Sequence, residues 1–287
     1  MSWLTDPFSS SLIRDGWLAG VLAVLTCSVV GTWVVIRGLG FMGDALAHAV
    51  LPGIAVAALI GINPVFGAFA SAMVAVGVIH LATGKGRVTE DTGIGLAFVG
   101  LLALGVIIIS RSDSFATDLG NYLFGDVLGV GRSDLWIEAG AALIAIAASV
   151  ALYRPFLALA FNEDKAASLG MRPRAASAAM LVLLALSVVS SFRAVGALLV
   201  FGLLVAPPAT ASLLVRRVPA IMVLGTALGT LAVTAGILVS YHADTAASAT
   251  MAGIAVAMFF TVLAGRELVA RLPRSAPVHG AHREQVT

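Results

Sequence analysis

An aspartate and a histidine lie one helical turn apart in an apolar stretch of the chain. Asp44 and His48 fall within the segment Gly43 to Gly53. At this i, i+4 spacing both side chains project from the same helix face. A carboxylate oxygen and an imidazole nitrogen that converge are suitable ligands for a divalent transition metal. An ionised Asp in a bilayer costs about 2.5–3.5 kcal/mol even on insertion scales, so the pair predicts a metal site inside a membrane.

A structural interpretation of the same pair stays open, in which Asp44 is a helix N-cap and His48 a hydrogen-bonded packing residue. Ionisable residues inside membranes are functional by default, which favours the metal site. Pro52 and Gly53 should break the helix near mid-span and free backbone carbonyls, a common device in transporters. Metal would need ionised Asp44 and neutral His48, so uptake should weaken as pH falls through the imidazole range.

Two further acidic or histidine-containing groups are weaker metal candidates. Glu90 and Asp91 begin an apolar segment, where they could bind metal, complement the helix dipole, or pair with Lys85 or Arg87. His242 and Asp244 lie between the last two apolar segments. They could receive metal at the outer mouth of a pathway, or belong to a solvated turn.

The composition indicates an integral membrane protein. The 287 residues are 60% hydrophobic and 11% charged, with a mean hydropathy of +1.03, whereas a soluble domain has about 25% charged residues. We expect an all-α polytopic protein with eight or nine transmembrane helices. Residues 1–15 precede a single membrane domain (16–266), and 267–287 form a polar cytoplasmic tail. The apolar segments are 16–36, 44–61, 64–82, 92–110, 135–153, 175–193, 195–215, 218–240 and 246–265.

Two stretches of the chain affect the predicted number of membrane crossings. The stretch 113–132 is too short and polar to span, and we expect a re-entrant or interfacial helix there. Segment 195–215 is the weakest span, because Pro207-Pro208 should break any helix.

The basic residues predict the orientation of the chain. With the N-terminus outside and each segment crossing once, the 17 Lys and Arg residues divide as 13 cytoplasmic against 4 external. This is a strong positive-inside bias. It places the loop 162–174 in the cytoplasm.

The loop 162–174 is a candidate contact for a partner subunit. It is amphipathic and includes Glu163, Ala167, Leu169 and Gly170, so it is either an ordinary connection or a short coupling helix in a groove of a partner. No P-loop sequence for nucleotide binding occurs in the chain. We therefore expect that the chain is not an enzyme, and that any ATP hydrolysis occurs in a separate subunit.

Several motifs in order resemble one protein family over nearly the whole chain. They are GDALAHAVLPG (43–53), EDTGIG (90–95), LFGDVLG (123–129), AASLG (166–170), and VGALLV (195–200) running on to APPATA (206–211). The chain resembles the permease subunits of bacterial zinc, manganese or iron uptake ABC transporters. The resemblance implies a homodimer in the bacterial inner membrane, cytoplasmic ATP-binding cassette subunits docked on the coupling helices, and an extracytoplasmic metal-binding protein. It also implies that Asp44 and His48 coordinate metal within the membrane.

The sequence thus predicts an ATP-driven importer of a divalent transition metal. Asp44 and His48 would replace part of the ion's hydration shell during transit. The usual order of affinities of divalent metals for a nitrogen-containing site favours zinc slightly, with manganese or iron as alternatives. We expect no permanently bound cofactor and no nucleic-acid partner, and membrane lipid around the chain. The alternative is a proton- or sodium-coupled secondary carrier in which Asp44 and His48 form a proton relay.

Overall fold

The computed structural model describes residues 6–83, 89–110, 125, 129–161, 167 and 170–271. All regular elements in these ranges are helical. A 3-10 turn at Pro7–Ser9 precedes eleven α-helices: α1 (Ser11–Ile36), α2 (Gly40–Ala49), α3 (Leu51–Ile60), α4 (Pro64–Thr83), α5 (Glu90–Ile109), α6 (Arg132–Ala151), α7 (Tyr153–Phe161), α8 (Pro173–Val195), α9 (Ala197–Leu214), α10 (Val218–Ala243) and α11 (Ala247–Arg271).

Eight helical segments of the described residues are long and apolar enough to cross a membrane. Helices α2 and α3 together form one of them, Gly40–Ile60. The apolar part of α9, Val200–Leu214, is shorter. The predicted all-α fold with eight or nine spans is therefore confirmed. The helix expected at 113–132 lies almost entirely outside the described residues, and α11 runs on to Arg271, into the stretch expected as tail.

Helix α1 lies at the centre of the bundle. It contacts α6, α8, α9 and α10, and most of its membrane-length window is buried. The indole of Trp33 packs edge-on against Phe156 of α7 and donates a 3.2 Å hydrogen bond to the Ser149 hydroxyl of α6. These contacts fix α6 and α7 against one end of α1.

Contacts between helix ends agree with the predicted sidedness. At one end of the bundle, Arg37 after α1 donates to the Ser177 hydroxyl in the first turns of α8. Arg266 of α11 donates to the carbonyl of Leu213, in the last turn of α9. At the other end, Trp17 of α1 donates to Thr234 of α10. The basic residues predicted to be cytoplasmic thus lie beside helix ends predicted to be on the same side.

The prediction that Pro207-Pro208 breaks the helix is wrong. Helix α9 runs from Ala197 to Leu214 with both prolines inside it. Proline removes the backbone bonds to the carbonyls four residues earlier, so neighbouring helices must accommodate the perturbed turn. Gly31 of α1 does so, because a Cβ there would overlap the Leu204 carbonyl. Gly225 of α10 also packs closely on the prolines, because a Cβ there would lie 3.3 Å from Cα of Pro208.

A buried carboxylic acid joins α6 to α8. Glu138 is 2% exposed, and its Oε1 accepts a 2.7 Å hydrogen bond from the Ser191 hydroxyl. Ser191 lies 3.9 Å from the Cys27 thiol of α1, which also accepts a hydrogen bond from Ser187. This polar cluster lies in the packing among α1, α6 and α8.

Helices α3 and α4 approach each other at two glycines. A Cβ at Gly67 would overlap the carbonyl oxygen of Gly53, and a Cβ at Gly53 would overlap the carbonyl oxygen of Gly67. Small residues allow such close backbone packing in membranes, where no hydrophobic effect drives helices together. One turn further along α4, the Ser71 hydroxyl donates a 2.6 Å hydrogen bond to the Ala49 carbonyl, at the end of α2.

We predict that Gly67→Ala destabilises the folded protein by about 1–3 kcal/mol, the usual cost of overpacking. The added methyl group must separate α3 from α4. The matched control is Gly77→Ala on the same helix, where a Cβ has open space. Thermal unfolding of the purified protein in detergent measures both variants. Equal unfolding temperatures for Gly67→Ala and Gly77→Ala would contradict the packing argument.

Candidate metal site in the membrane

The described structure brings Asp44 and His48 together on α2. Oδ1 of Asp44 lies 3.6 Å from Nδ1 of His48, and the side chains are 26% and 12% exposed. His48 Nδ1 also lies 3.0 Å from the backbone carbonyl oxygen of Asp44. Both oxygens near Nδ1 are acceptors, which favours the tautomer with the proton on Nδ1. In that tautomer Nε2 carries the lone pair that can bind a metal.

The start of α2 excludes the N-cap interpretation of Asp44. The helix begins at Gly40, and Leu39 is its N-cap residue. In a 21-residue span from Gly40 to Ile60, Asp44 lies about 6 Å and His48 about 12 Å from the first residue, at 1.5 Å per residue. The span is about 31 Å long, so the imidazole is near its middle and the carboxylate is in the predicted cytoplasmic half.

An aromatic side chain on α5 holds the imidazole. The Phe98 ring packs edge-on against His48 with centroids 5.0 Å apart, and against Phe41 with centroids 5.9 Å apart. Phe98 was not among the sequence candidates. Nothing in its segment distinguishes it from a lipid-facing apolar residue, so only the packing of α5 on α2 identifies it.

The second span breaks directly after the pair. Helix α2 ends at Ala49 and α3 begins at Leu51, with Pro52 in its first turn. The predicted break at Pro52-Gly53 is thus present two to three residues earlier, at Val50. Behind the pair, Gly43 packs against Leu204 and Phe201 of α9, because a Cβ there would meet both side chains.

The other predicted metal residues lie at the start of α5 and at the end of α10. Helix α5 begins at Glu90 with Thr89 as its N-cap, so Glu90 and Asp91 occupy its first turn. His242 is in the last turn of α10, with its ring 5.2 Å from Tyr241. Asp244 ends that helix in a left-handed conformation with φ of 50°, a role that Asp tolerates better than most residues.

Two of the four predicted coupling residues lie in the part of the loop that the structure describes. Ala167 and Gly170 are exposed, and the Gly170 N–H donates to the Ala167 carbonyl at 3.0 Å with a left-handed φ of +72°. Glu163 and Leu169 lie outside the described residues.

Each chain offers two metal ligands at this site. Across the described ranges, no group of three or more His, Cys, Asp or Glu residues converges as a metal would require. Asp44 and His48 can therefore supply one oxygen and one nitrogen ligand, and the remaining coordination positions need another source.

Comparison with known sequences decides the family. The sequence pattern of the ABC 3 transport family matches residues 9–266. The chain belongs to this family. Manganese transport system membrane protein MntC of Halalkalibacterium halodurans is 34% identical over 251 residues, or 88% of this chain and 86% of MntC. Chelated iron transport system membrane protein YfeD of Yersinia pestis is 32% identical, over 91% of this chain and 87% of YfeD.

A solved structure supports the same assignment. PsaBC from Streptococcus pneumoniae in complex with Fab superimposes with a TM-score of 0.82 at 27% identity, covering 91% of this chain and 94% of the matched chain. This chain is therefore the permease subunit of a metal-uptake ABC transporter, a multi-pass protein of the bacterial plasma membrane. Like other permeases of this family, it is a transporter subunit and not a catalytic enzyme.

We predict that Phe98→Ala lowers metal uptake about two- to ten-fold, because an aromatic pair contributes about 0.5–1.5 kcal/mol to holding its partner. Uptake is reduced and not lost, since Phe98 supplies no ligand. Leu96→Ala is the control, because Leu96 lies on the same helix and is 67% exposed. Wild-type uptake by Phe98→Ala would show that the ring does not position His48.

Proposed function

We propose that the Asp44–His48 pair is the transit site through which this permease passes manganese. The observation that carries the proposal is an imidazole beside a carboxylate, near the middle of a broken span. Broken helices form binding sites in many transporters. A transit site must also release its ion, which suits a small number of protein ligands.

A second copy of the chain would complete the coordination. Asp44 is 26% exposed and Phe41, one turn earlier on α2, is 49% exposed, so this side of α2 is accessible from outside the subunit. Two copies facing one pathway would offer two carboxylates and two imidazoles. We therefore propose a homodimer with the ion between the subunits, and water in any remaining position.

The choice of metal departs from the sequence argument. Affinity order favoured zinc, since nitrogen and oxygen ligands bind zinc more tightly than manganese. None of the relatives described above supports zinc, because their names specify manganese and chelated iron. Weak retention is an advantage at a transit site, and manganese is the most weakly held ion of the series. We propose manganese as the substrate, with ferrous iron as the second candidate.

Energy and delivery come from partner subunits in this proposal. A cytoplasmic ATPase docks on the loop 162–174, where Ala167 and Gly170 are exposed. An extracytoplasmic binding protein delivers the ion at the opposite face, beside His242 and Asp244. Membership of an ABC family disfavours the alternative of a proton- or sodium-coupled carrier.

We predict that Asp44→Asn and His48→Gln each lower manganese uptake at least about tenfold, since even outer-shell changes at metal sites cost about 10–100-fold. His80→Gln is the matched control, because His80 is an exposed histidine at the end of α4. The measurement is uptake into proteoliposomes that contain the permease, its ATPase, the binding protein and ATP. Normal uptake by both variants would exclude the pair as the transit site.

The same vesicles distinguish the two transport classes. Vesicles with the permease alone should accumulate no manganese under an imposed pH gradient. Uptake driven by the gradient without ATPase would support the secondary carrier and overturn the ABC mechanism for this chain.

We predict that cells lacking the permease contain less manganese, with unchanged zinc. The physical reason is that the pair retains zinc too tightly for rapid release. Elemental analysis of cells complemented with wild type or His48→Gln provides the measurement. Loss of zinc with normal manganese would restore the zinc assignment.

A further inference from the structure

An apolar groove with a volume of about 390 Å³ lies among α1, α6 and α10. Its lining includes Val29, Val150 and Val223, one from each helix. Three lining residues, Ser149, Tyr153 and Thr226, carry hydroxyl groups, and those of Ser149 and Thr226 are hydrogen-bonded within the protein. Ser149 accepts from Trp33, and Thr226 donates to the Met222 carbonyl of its own helix at 2.8 Å. The groove therefore presents an apolar surface to an occupant.

The groove continues into a second cavity that reaches a basic residue. This cavity has a volume of about 500 Å³ and shares Val150 and Tyr153 with the groove. It is also lined by Arg154, which is exposed. Two more exposed arginines, Arg216 and Arg217, precede Pro219, another lining residue of the groove. Positive charge is thus concentrated at one end of an apolar channel.

The position of the groove matches one leaflet of a bilayer. On α6 it extends from Ile146 to Val150, about 6 Å at 1.5 Å per residue, and Tyr153 at the start of α7 continues it. On α10 it extends from Pro219 to Thr226, about 10 Å at the same rise per residue. Half of the bilayer hydrocarbon is about 15 Å thick. The arginine end is the one that the positive-inside rule places at the cytoplasmic surface.

The geometry points to a binding site for an anionic phospholipid of the cytoplasmic leaflet. An acyl chain lies in the groove among α1, α6 and α10, and the phosphate is bound by Arg154 with Arg216 and Arg217 nearby. Charge complementarity selects the occupant, because an apolar channel that ends in arginines matches an acyl chain joined to an anionic headgroup. Tyr153 lies between the two parts, at the depth where aromatic side chains meet headgroups.

Native mass spectrometry of the purified full-length permease tests the headgroup contact. Phosphatidylglycerol and phosphatidylcholine are added in equal amounts, and the ratio of retained lipids is measured. Wild type should prefer phosphatidylglycerol. Arg154→Gln should lower that preference about five-fold, the factor expected for one basic side chain near an anionic surface. Arg132→Gln, at the opposite end of α6, should leave the preference unchanged.

A second pair of variants tests the groove itself. Val223→Trp fills the groove and should reduce the number of tightly retained lipids by one. Leu231→Trp, at a 57% exposed position further along α10, should retain the wild-type number. Equal ratios for wild type and Arg154→Gln, or an equal fall for Arg132→Gln, would overturn the headgroup assignment. Retention by Val223→Trp of all wild-type lipids would overturn the acyl-chain assignment.

Cross-linking distinguishes a lipid from a second copy of the chain. Cys27 is the single cysteine in the sequence and is buried, so Val223→Cys adds one accessible thiol. Oxidation of this variant in membranes should leave the chain uncross-linked at this position. Efficient covalent dimers through Cys at position 223 would show that the groove is a subunit interface, and the lipid proposal would fail.

Discussion

The hydrogen bond from the Ser71 hydroxyl to the Ala49 carbonyl makes a broken helix possible beside His48. A carbonyl without a partner in hydrocarbon costs several kcal/mol, so a span that ends and restarts at depth must satisfy its terminal groups from neighbouring helices. Ser71 reaches Ala49 because α4 lies directly against α3, and that approach depends on Gly53 and Gly67 having no side chains. The geometry of the metal pair thus rests on small residues of α3 and α4, two helices that carry none of the predicted metal ligands.

Much of the site could be predicted from residue types and spacing. The i, i+4 relation of Asp44 and His48 fixed their common face, and Pro52 indicated the break. The depth of the pair could not be predicted, because α2 begins at Gly40, after a turn in which Gly38 adopts a left-handed φ of +70°. An apolar pattern alone does not locate such a turn. Phe98 was unpredictable for another reason, since its role depends only on the packing of α5 against α2.

Glu138 and the two prolines show in two different ways that residue type alone does not determine the structure of a span. An ionisable residue within a span is a signal that the sequence does carry, but its partner Ser191 is on another helix and is supplied by the fold. Pro207-Pro208 is a strong local signal for a break that the tertiary structure overrides. Helix α9 continues because Gly31 leaves room for the Leu204 carbonyl and Gly225 for the backbone of Pro208. In both cases the deciding residue lies on a neighbouring helix.

Helix α9, which contains the two prolines, contacts the broken second span beside the metal pair. Leu204 of α9 directs its carbonyl towards Gly31 of α1, and its side chain towards Gly43, which immediately precedes Asp44. A displacement of α9 along α1 therefore acts on α2 at the residue next to the carboxylate. Helices that have lost backbone hydrogen bonds bend at those turns, so α9 can bend at Leu204, beside the residue that precedes the carboxylate. The groove among α1, α6 and α10 shares only α1 with this contact. Helix α1 is mostly buried and contacts both α9 and α6. It therefore connects the groove to the contact between α9 and α2.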